Sequence, residues 1–381
     1  MSTVTLFELL SERERRAQKR ASLIFEHGLP VITFTLNLAG AEKRSPLSDF
    51  VFRAGEKALR EKLGNPLHYA LFDSPAGLCS FFVYNEHAAV LKNICMVLED
   101  GEAGRLFDFD VTNEHGAALS RSESRRCLLC GRPAAECARS REHPLEQVLA
   151  KANDIMLKFA SKRLALGAHA ALIRELDLTP KPGLVDKSNS GAHFDMDYFL
   201  FVKSAAALTP YFEHAVLMGA AGAGLPPLGA EGIAAEAAMF AATGGVNTHK
   251  GAIFLFMTLL CGIGAHFSGG GDPFSAAAAL AAEKSAAQST HGAAVRAKSA
   301  APGAVGEAAA GFPTAVFARR GSVTTSCPKT VMRPVSGMTM PERTPISVLF
   351  PAPLGPKSPK ISPSSTVKET SAKACVVCLP R

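Results

Sequence analysis

A chain of 381 residues is long enough for two or three domains, each able to bury a core of its own. Its formal charge of +7 invites a nucleic-acid reading, but residues 318–381 hold ten Lys/Arg against two Glu, so the body of the chain is near neutral and offers no broad basic footprint. The N-terminus runs straight into a charged helical pattern without an apolar signal-peptide core, and nine cysteines without such a signal point to a cytoplasmic protein with free or metal-binding thiols.

Residues 6–20 read as a helix with Leu6, Leu9 and Leu10 on its apolar side and the following charged residues solvated. Residues 29–38 alternate β-branched and apolar side chains, as a strand does. A helix follows over 48–63, with Phe52, Leu59 and Leu63 buried, then strands at 67–72 and 77–84, a helix at 86–99 and a strand at 106–111. This part is α+β, a sheet covered by helices. From Pro144 the apolar residues repeat at helical spacing through 178, so the two parts are joined by helix. Further helices are predicted at 198–208, 211–219, 232–242 and 251–266, which makes the second half all-α. Residues 251–267 are marginal for spanning a bilayer and are predicted to be a core helix, with no membrane contact. Residues 318–381 hold ten of the chain's 24 prolines and no periodicity, a composition that predicts disorder. The predicted division is 1–155, 156–317 and a tail, 318–381.

Four constellations bear on chemistry. The densest is PKPGLVDKSNSGAHFDMD, residues 180–197, which brings Lys181, Asp186, Asn189, His193, Asp195 and Asp197 into one glycine-punctuated loop. Carboxylates, an amide and an imidazole on such a loop suit Mg²⁺ and phosphate oxygens; a solvated connection between helices would use fewer of them. GRLFDFDV, residues 104–111, puts Asp108 and Asp110 on one face of a strand, where the two carboxylates repel unless a cation lies between them. The alternative there is an edge strand with its polar face in water. Cys127, Cys130, Cys137 and His143 have the spacing C-x₂-C-x₆-C-x₅-H, which can complete a tetrahedral Zn²⁺ site; free buried cysteines are the alternative, and Arg125 and Arg126 beside them could bind polyphosphate. GGVNTHKG, residues 244–251, is a glycine turn leading into an apolar helix, with Asn247, His249 and Lys250 placed to hold an anion. Residues 290–313, with THG, Arg296 and a GFP string, read by themselves as loop.

Together these strings resemble the two enzymes that make and attach the citrate lyase prosthetic group. The first half is similar to the phosphoribosyl-dephospho-CoA transferase (holo-[acyl-carrier-protein] synthase) family on FELL at 7–10, TFT at 33–35, GRLFDFDV and RRCLLC…C…H at 125–143. The second half resembles the triphosphoribosyl-dephospho-CoA synthase family on PKPGLVD…DMD, GVNTHKG and the strings at 290–313. The resemblance implies a bifunctional transferase with nucleotidyltransferase-type chemistry and Mg²⁺, acting on ATP, 3′-dephospho-CoA and the lyase's acyl-carrier subunit. It implies metal at Asp108 and Asp110 in one half and at Asp195 and Asp197 in the other. Asp108, Asp110, Asp186 and His193 would be catalytic, and Lys181, Asn189, Asn247, His249, Lys250, Arg105, Arg125 and Arg126 would bind substrate. The resemblance stops near Phe317, and the tail beyond it has the look of out-of-frame translation. An all-α half cut short in this way would be a non-catalytic remnant beside an active transferase.

Overall fold

The computed structural model describes residues 4–121 and 124–283. The strings at 290–313 and the tail 318–381 lie outside the described residues. Thr5 starts the first helix, α1 (Leu6–His27), through a capping box with Glu8, and Gly28 ends it in the left-handed conformation. The helix is longer than its sequence pattern predicts, and its buried side is different. Leu6 is 72% and Leu10 54% exposed, while the residues turned inward are Glu12 and Leu23. Glu12 tolerates this because Arg15 and Arg16 pair with it from the next turn, at 2.8 and 3.4 Å.

Strand β1 (Val31–Leu36) leads to α2 (Pro46–Leu63), which Ser45 caps and Pro46 opens. Strands β2 (His68–Phe72) and β3 (Cys79–Val83), helix α3 (Ala88–Glu99), a 3₁₀ turn (Gly104–Leu106) and β4 (Phe107–Thr112) complete the sheet region. The sheet is antiparallel throughout, in the order β2-β3-β1-β4. One face, with Ile32, Phe34, Phe82 and Phe109, packs under α2 and α3; Phe34 stacks on Phe52 and Phe109 at 4.8 and 4.2 Å. The other, with Val31, Cys79, Phe81 and Val83, packs on Leu23 of α1. Thr33, Thr35, Asp108 and Asp110 continue that second face, since Thr35 pairs with Asp108 and Thr33 with Asp110.

A short helix, α4 (Ala134–Ser140), falls inside the cysteine spacing, and α5 (Leu145–Asp177) is continuous for 33 residues. Helices α6 (Tyr198–Ala220), α7 (Leu225–Thr243) and α8 (Lys250–Gly269) follow, so the described part of the chain is α+β and then all-α. The break predicted at 209–210 does not occur, and the helix predicted from 232 starts seven residues earlier. Pro210 lies inside α6, where Thr209 Oγ1 donates back to the Ala205 carbonyl at 3.0 Å and the buried Leu208 and Phe212 hold the helix in the bundle. Pro226 lies in the first turn of α7, where a proline costs nothing, so that helix begins at Leu225. α8 is long and apolar enough to cross a membrane by length and composition; here it packs inside the bundle on α6 and α7. One apolar core runs through both halves of the described chain, with Phe107 against Phe159 at 6.1 Å and Phe50 against Phe267 at 5.5 Å.

Candidate functional sites

The first site is a cleft of about 360 Å³ between α1 and the polar end of the sheet. Arg13 and Arg16 from α1, Asn37 and Lys43 after β1, and Asp108 and Asp110 from β4 line it. Burial lowers the Lys43 ammonium pKa, with Arg13 adding to the effect, and its Nζ donates to the Leu38 carbonyl. Arg16 is braced by the Gly77 carbonyl at 2.8 Å. The Asp110 carboxyl opens into the cleft, yet the surrounding protein holds its pKa above the ordinary carboxylate value, and the charge of Asp108 raises it further. A cation between the two would relieve both effects.

β4 is held rigidly at this point. Phe109, between the two aspartates, donates its N–H to Glu99 Oε1 at 2.8 Å, and its carbonyl accepts from Lys92 Nζ at 3.2 Å. Both side chains are buried. Glu99 also forms ion pairs with Arg121, whose Nε stands 3.1 Å away, and with Arg125 Nη2 at 2.7 Å, and the same Arg125 nitrogen reaches Asp108 Oδ1 at 2.9 Å. Burial nonetheless keeps the Glu99 pKa raised. Arg125, expected to meet substrate, therefore also ties Asp108 to the core. Arg126 lies in a short bridge to Pro133. Arg105 stands on the 3₁₀ turn, its Nη2 buried with no hydrogen-bond partner among the described residues. Sequence reasoning missed Arg13, Arg16, Lys43, Lys92 and Glu99; the signal available was Glu12 one turn before Arg16.

Cys127, Cys130, Cys137 and His143 come together next to this cleft. Their donor atoms all lie within 4.8 Å of one another, with Cys130 Sγ 3.4 Å from Cys137 Sγ and 3.2 Å from His143 Nε2. The Arg132 backbone N–H, its side chain and then His143 hold the Cys130 thiol well below its usual pKa, whereas burial raises that of Cys137. Three sulfurs and one imidazole at this closeness match a tetrahedral metal set. Among the described residues it is the group of three or more such side chains that converges.

The second site is one end of the helical bundle. The C-termini of α5 and α7 and the N-termini of α6 and α8 meet there, so the loops after Asp177 and after Thr243 share that end. Asp186 is buried and fully used within its own loop: it accepts from Thr179 Oγ1 at 2.7 Å and from the N–H groups of Lys181, Ser188 and Asn189 at 3.1, 2.7 and 3.0 Å. Those bonds, Thr179 first, hold its pKa down to about 2. Gly191 permits the return of this loop, because a Cβ there would stand 2.5 Å from the Gly183 carbonyl carbon. Asp197 caps α6 through Leu200 N–H at 2.8 Å, and Asp195 stays exposed, 3.9 Å from His193 Nδ1. The aspartates at 186, 195 and 197, predicted as a shared Mg²⁺ and catalytic set, are thus not brought together in this structure: one folds its loop and one caps a helix. Asn189 accepts from Gly191 N–H, Lys181 pairs with Glu175 at 2.9 Å, Lys250 with Glu236 at 2.6 Å, and Asn247 accepts from Lys250 N–H.

His249 is buried, with Nδ1 2.7 Å from Ser204 Oγ, which in turn accepts from Thr248 Oγ1. Burial depresses its pKa to about 4, against a small opposing influence from Glu175. The folded state therefore binds fewer protons than the unfolded chain, and stability present above the unfolded value of about 6.5 is lost as pH falls towards 4. Asp186 stabilises the fold above its ordinary value of 3.8 and loses that only below it, and the raised carboxyls of Asp110 and Glu99 are common to both proteins, so comparison with a histidine variant isolates the ring. Urea midpoints measured at pH 7 and 4.5 should fall more in the unaltered protein than in His249→Gln; an equal fall would show that the ring is not held neutral.

Two family models match the chain, one described as apo-citrate lyase phosphoribosyl-dephospho-CoA transferase over residues 4–159, the other as ATP:dephospho-CoA triphosphoribosyl transferase over residues 161–319. The changeover falls inside α5. "Protein CitXG" of Haemophilus influenzae is 36% identical over 282 residues, covering 69% of this chain and 60% of that protein. "Protein CitXG" of Leuconostoc mesenteroides subsp. cremoris is 35% identical over 277 residues, 66% of this chain and 59% of that protein. The chain thus spans about three fifths of the length of these two relatives. A probable apo-citrate lyase phosphoribosyl-dephospho-CoA transferase of Vibrio cholerae is 36% identical over 163 residues, 40% of this chain and 92% of that protein. On these matches the chain belongs to the apo-citrate lyase phosphoribosyl-dephospho-CoA transferase family, and its residues 161–319 match the ATP:dephospho-CoA triphosphoribosyl transferase model.

Proposed function

We propose that this chain, in the cytoplasm, both makes the citrate lyase prosthetic group and attaches it. In the first reaction the ribose 2′-hydroxyl of 3′-dephospho-CoA attacks the anomeric carbon of the ATP ribose, and the glycosidic bond to adenine breaks. In the second, a serine hydroxyl of the lyase's acyl-carrier subunit attacks the innermost phosphorus of the triphosphate, and pyrophosphate leaves. Residues 1–155 carry the second reaction and 156–317 the first.

The observation that carries the reading is the α1–sheet cleft, where two carboxylates on one strand face Arg13, Arg16 and Lys43 across a space that suits a polyphosphate. Asp108 and Asp110 would hold Mg²⁺, which when bound neutralises charge on the transferred phosphoryl group. The three basic side chains orient the pyrophosphate end, and Arg125 keeps Asp108 in place. A Zn²⁺ ion fits the Cys127, Cys130, Cys137 and His143 cluster as a structural clamp. At the bundle end, His193 beside Asp195 would assist the attacking hydroxyl, and Asn247, Lys250 and Lys181 would meet the triphosphate of ATP. Asp186 supports this by shaping the loop.

A second reading, that the transferase is active and the helical half is a remnant, is favoured by the aspartates at 186, 195 and 197 not converging. One assay separates the two. The full chain, given ATP, dephospho-CoA and the apo carrier subunit, should modify the carrier. Asp186→Ala and Asp195→Ala should modify it only when triphosphoribosyl-dephospho-CoA is supplied. Normal modification by these variants from ATP would sink the assignment at the bundle end, and an unaltered chain that modifies the carrier only with supplied intermediate establishes the remnant.

A further inference from the structure

We propose that the metal held by Cys127, Cys130, Cys137 and His143 is what seats Arg125 between Glu99 and Asp108, so that metal occupancy and the order of the transferase cleft are coupled. This rests on the metal-binding reading of the cluster given above.

The segment 124–143 has little else to fix it. Among its residues only Cys137 is buried, and Leu128 makes partial contact with the main core. Apart from the pairs that Arg125 itself makes, its ion pair, Arg132 with Glu142 at 2.5 Å, has both side chains about half exposed, and such pairs contribute little. Ordering 20 residues costs far more than these contacts return, whereas closing a metal site can supply the difference. The path from the cluster to the cleft is short and covalent at its start. Arg125 stands two residues before the ligand Cys127. Its carbonyl accepts from Ala134 N–H at 2.7 Å, Cys127 N–H donates to the Arg132 carbonyl at 2.6 Å, and Arg126 bridges to Pro133 between them. This narrow ribbon fixes the direction in which Arg125 leaves the backbone. Its Nη2 then reaches Glu99 and Asp108, and Glu99 holds the N–H of Phe109 between the two aspartates.

The coupling is reciprocal: if metal orders Arg125, then the contacts of Arg125 tighten metal binding by the same factor. Zn²⁺ affinity of the full chain, measured by competition with a chromophoric chelator, should fall by about tenfold in Arg125→Ala and Glu99→Gln. The same measurement on Lys57→Ala, an exposed site on α2, should give the unaltered value. Co²⁺ in place of Zn²⁺ should give the thiolate charge-transfer and ligand-field bands of a tetrahedral site. Stripping the metal from the unaltered protein should speed amide exchange by about tenfold or more in peptides covering both 124–143 and 106–112. That arm needs no variant to fold. If no Zn²⁺ binds, or Cys130 and Cys137 are joined as a disulfide, the metal reading fails and the coupling with it. If Zn²⁺ binds tightly but Arg125→Ala leaves its affinity unchanged and exchange in 106–112 ignores the metal, the coupling alone is overturned.

Discussion

Asp110→Asn should lower transfer onto the carrier subunit by about a thousandfold, a loss of the size seen when a group that stabilises developing charge is removed. The substitution keeps the shape of the side chain and removes its charge. The measurement is the mass of the apo carrier subunit after incubation with supplied triphosphoribosyl-dephospho-CoA, and retention of more than a tenth of the rate would refute the role. Stability should move the other way. Because the Asp110 pKa is raised in the folded protein, its ionised form is disfavoured by folding at neutral pH, first by the protein that surrounds the cleft and displaces water from it, then by Asp108. An uncharged amide removes that cost, so the thermal midpoint of the variant should equal or exceed that of the unaltered protein. Lost activity with retained stability is the signature of a site that holds charge against the preference of its fold.

The second large effect lies at the crossing of α6 and α8. These helices run side by side in the same direction, and their backbones touch at glycines. A Cβ at Gly264 would stand 2.0 Å from the Val216 carbonyl oxygen, and one at Gly219 would stand 1.9 Å from that of Cys261. Neither neighbour is a side chain that could turn away. Ser268 Oγ adds a 2.7 Å bond to the Ala220 carbonyl at the same crossing. Gly264→Val should therefore force the helices apart and destabilise the bundle by about 3 kcal/mol, the upper end for overpacking. In thermal unfolding this corresponds to a midpoint lower by roughly 10 °C. An unchanged midpoint would mean that α6 and α8 do not cross as described. The transferase reaction on supplied intermediate should survive better than synthesis, because the sheet keeps its own core on the α1 side.

Much of this was legible in the sequence because it depends on local pattern. The alternation in FDFDV placed Asp108 and Asp110 on one face, and the β-branched run VITFTL marked its neighbour, β1. The cysteine spacing anticipated a cluster that does close, though the seven-residue helix that carries Cys137 left no trace in the pattern. The break expected at 209–210 and the start expected at 232 both fail beside prolines, whose effect depends on what surrounds them. Glu99 was illegible for a different reason. At the end of an apolar helix it reads as a solvated terminus, and its partners, Phe109, Arg121 and Arg125, stand 10 to 26 residues further along. No window of helical length contains them. The bundle-end loop shows the converse: the composition of residues 180–197 suggested a metal cage, but Asp186 spends its oxygens on its own loop, which only the fold reveals.

The way Glu99 and Lys92 hold Phe109 also bears on how this protein keeps company with other chains. β4 is the last strand of its sheet, and its outer side is where a stranger's strand would add. At Phe109 both backbone groups facing outward are already occupied by buried side chains, and at Val111 the carbonyl accepts Leu119 N–H at 2.8 Å. An intruding strand would have to expel an ion-paired glutamate and a buried lysine before making its first bond. The same pair that aims the aspartates thus closes the β4 edge of the sheet to strand addition, leaving β2 as its other edge.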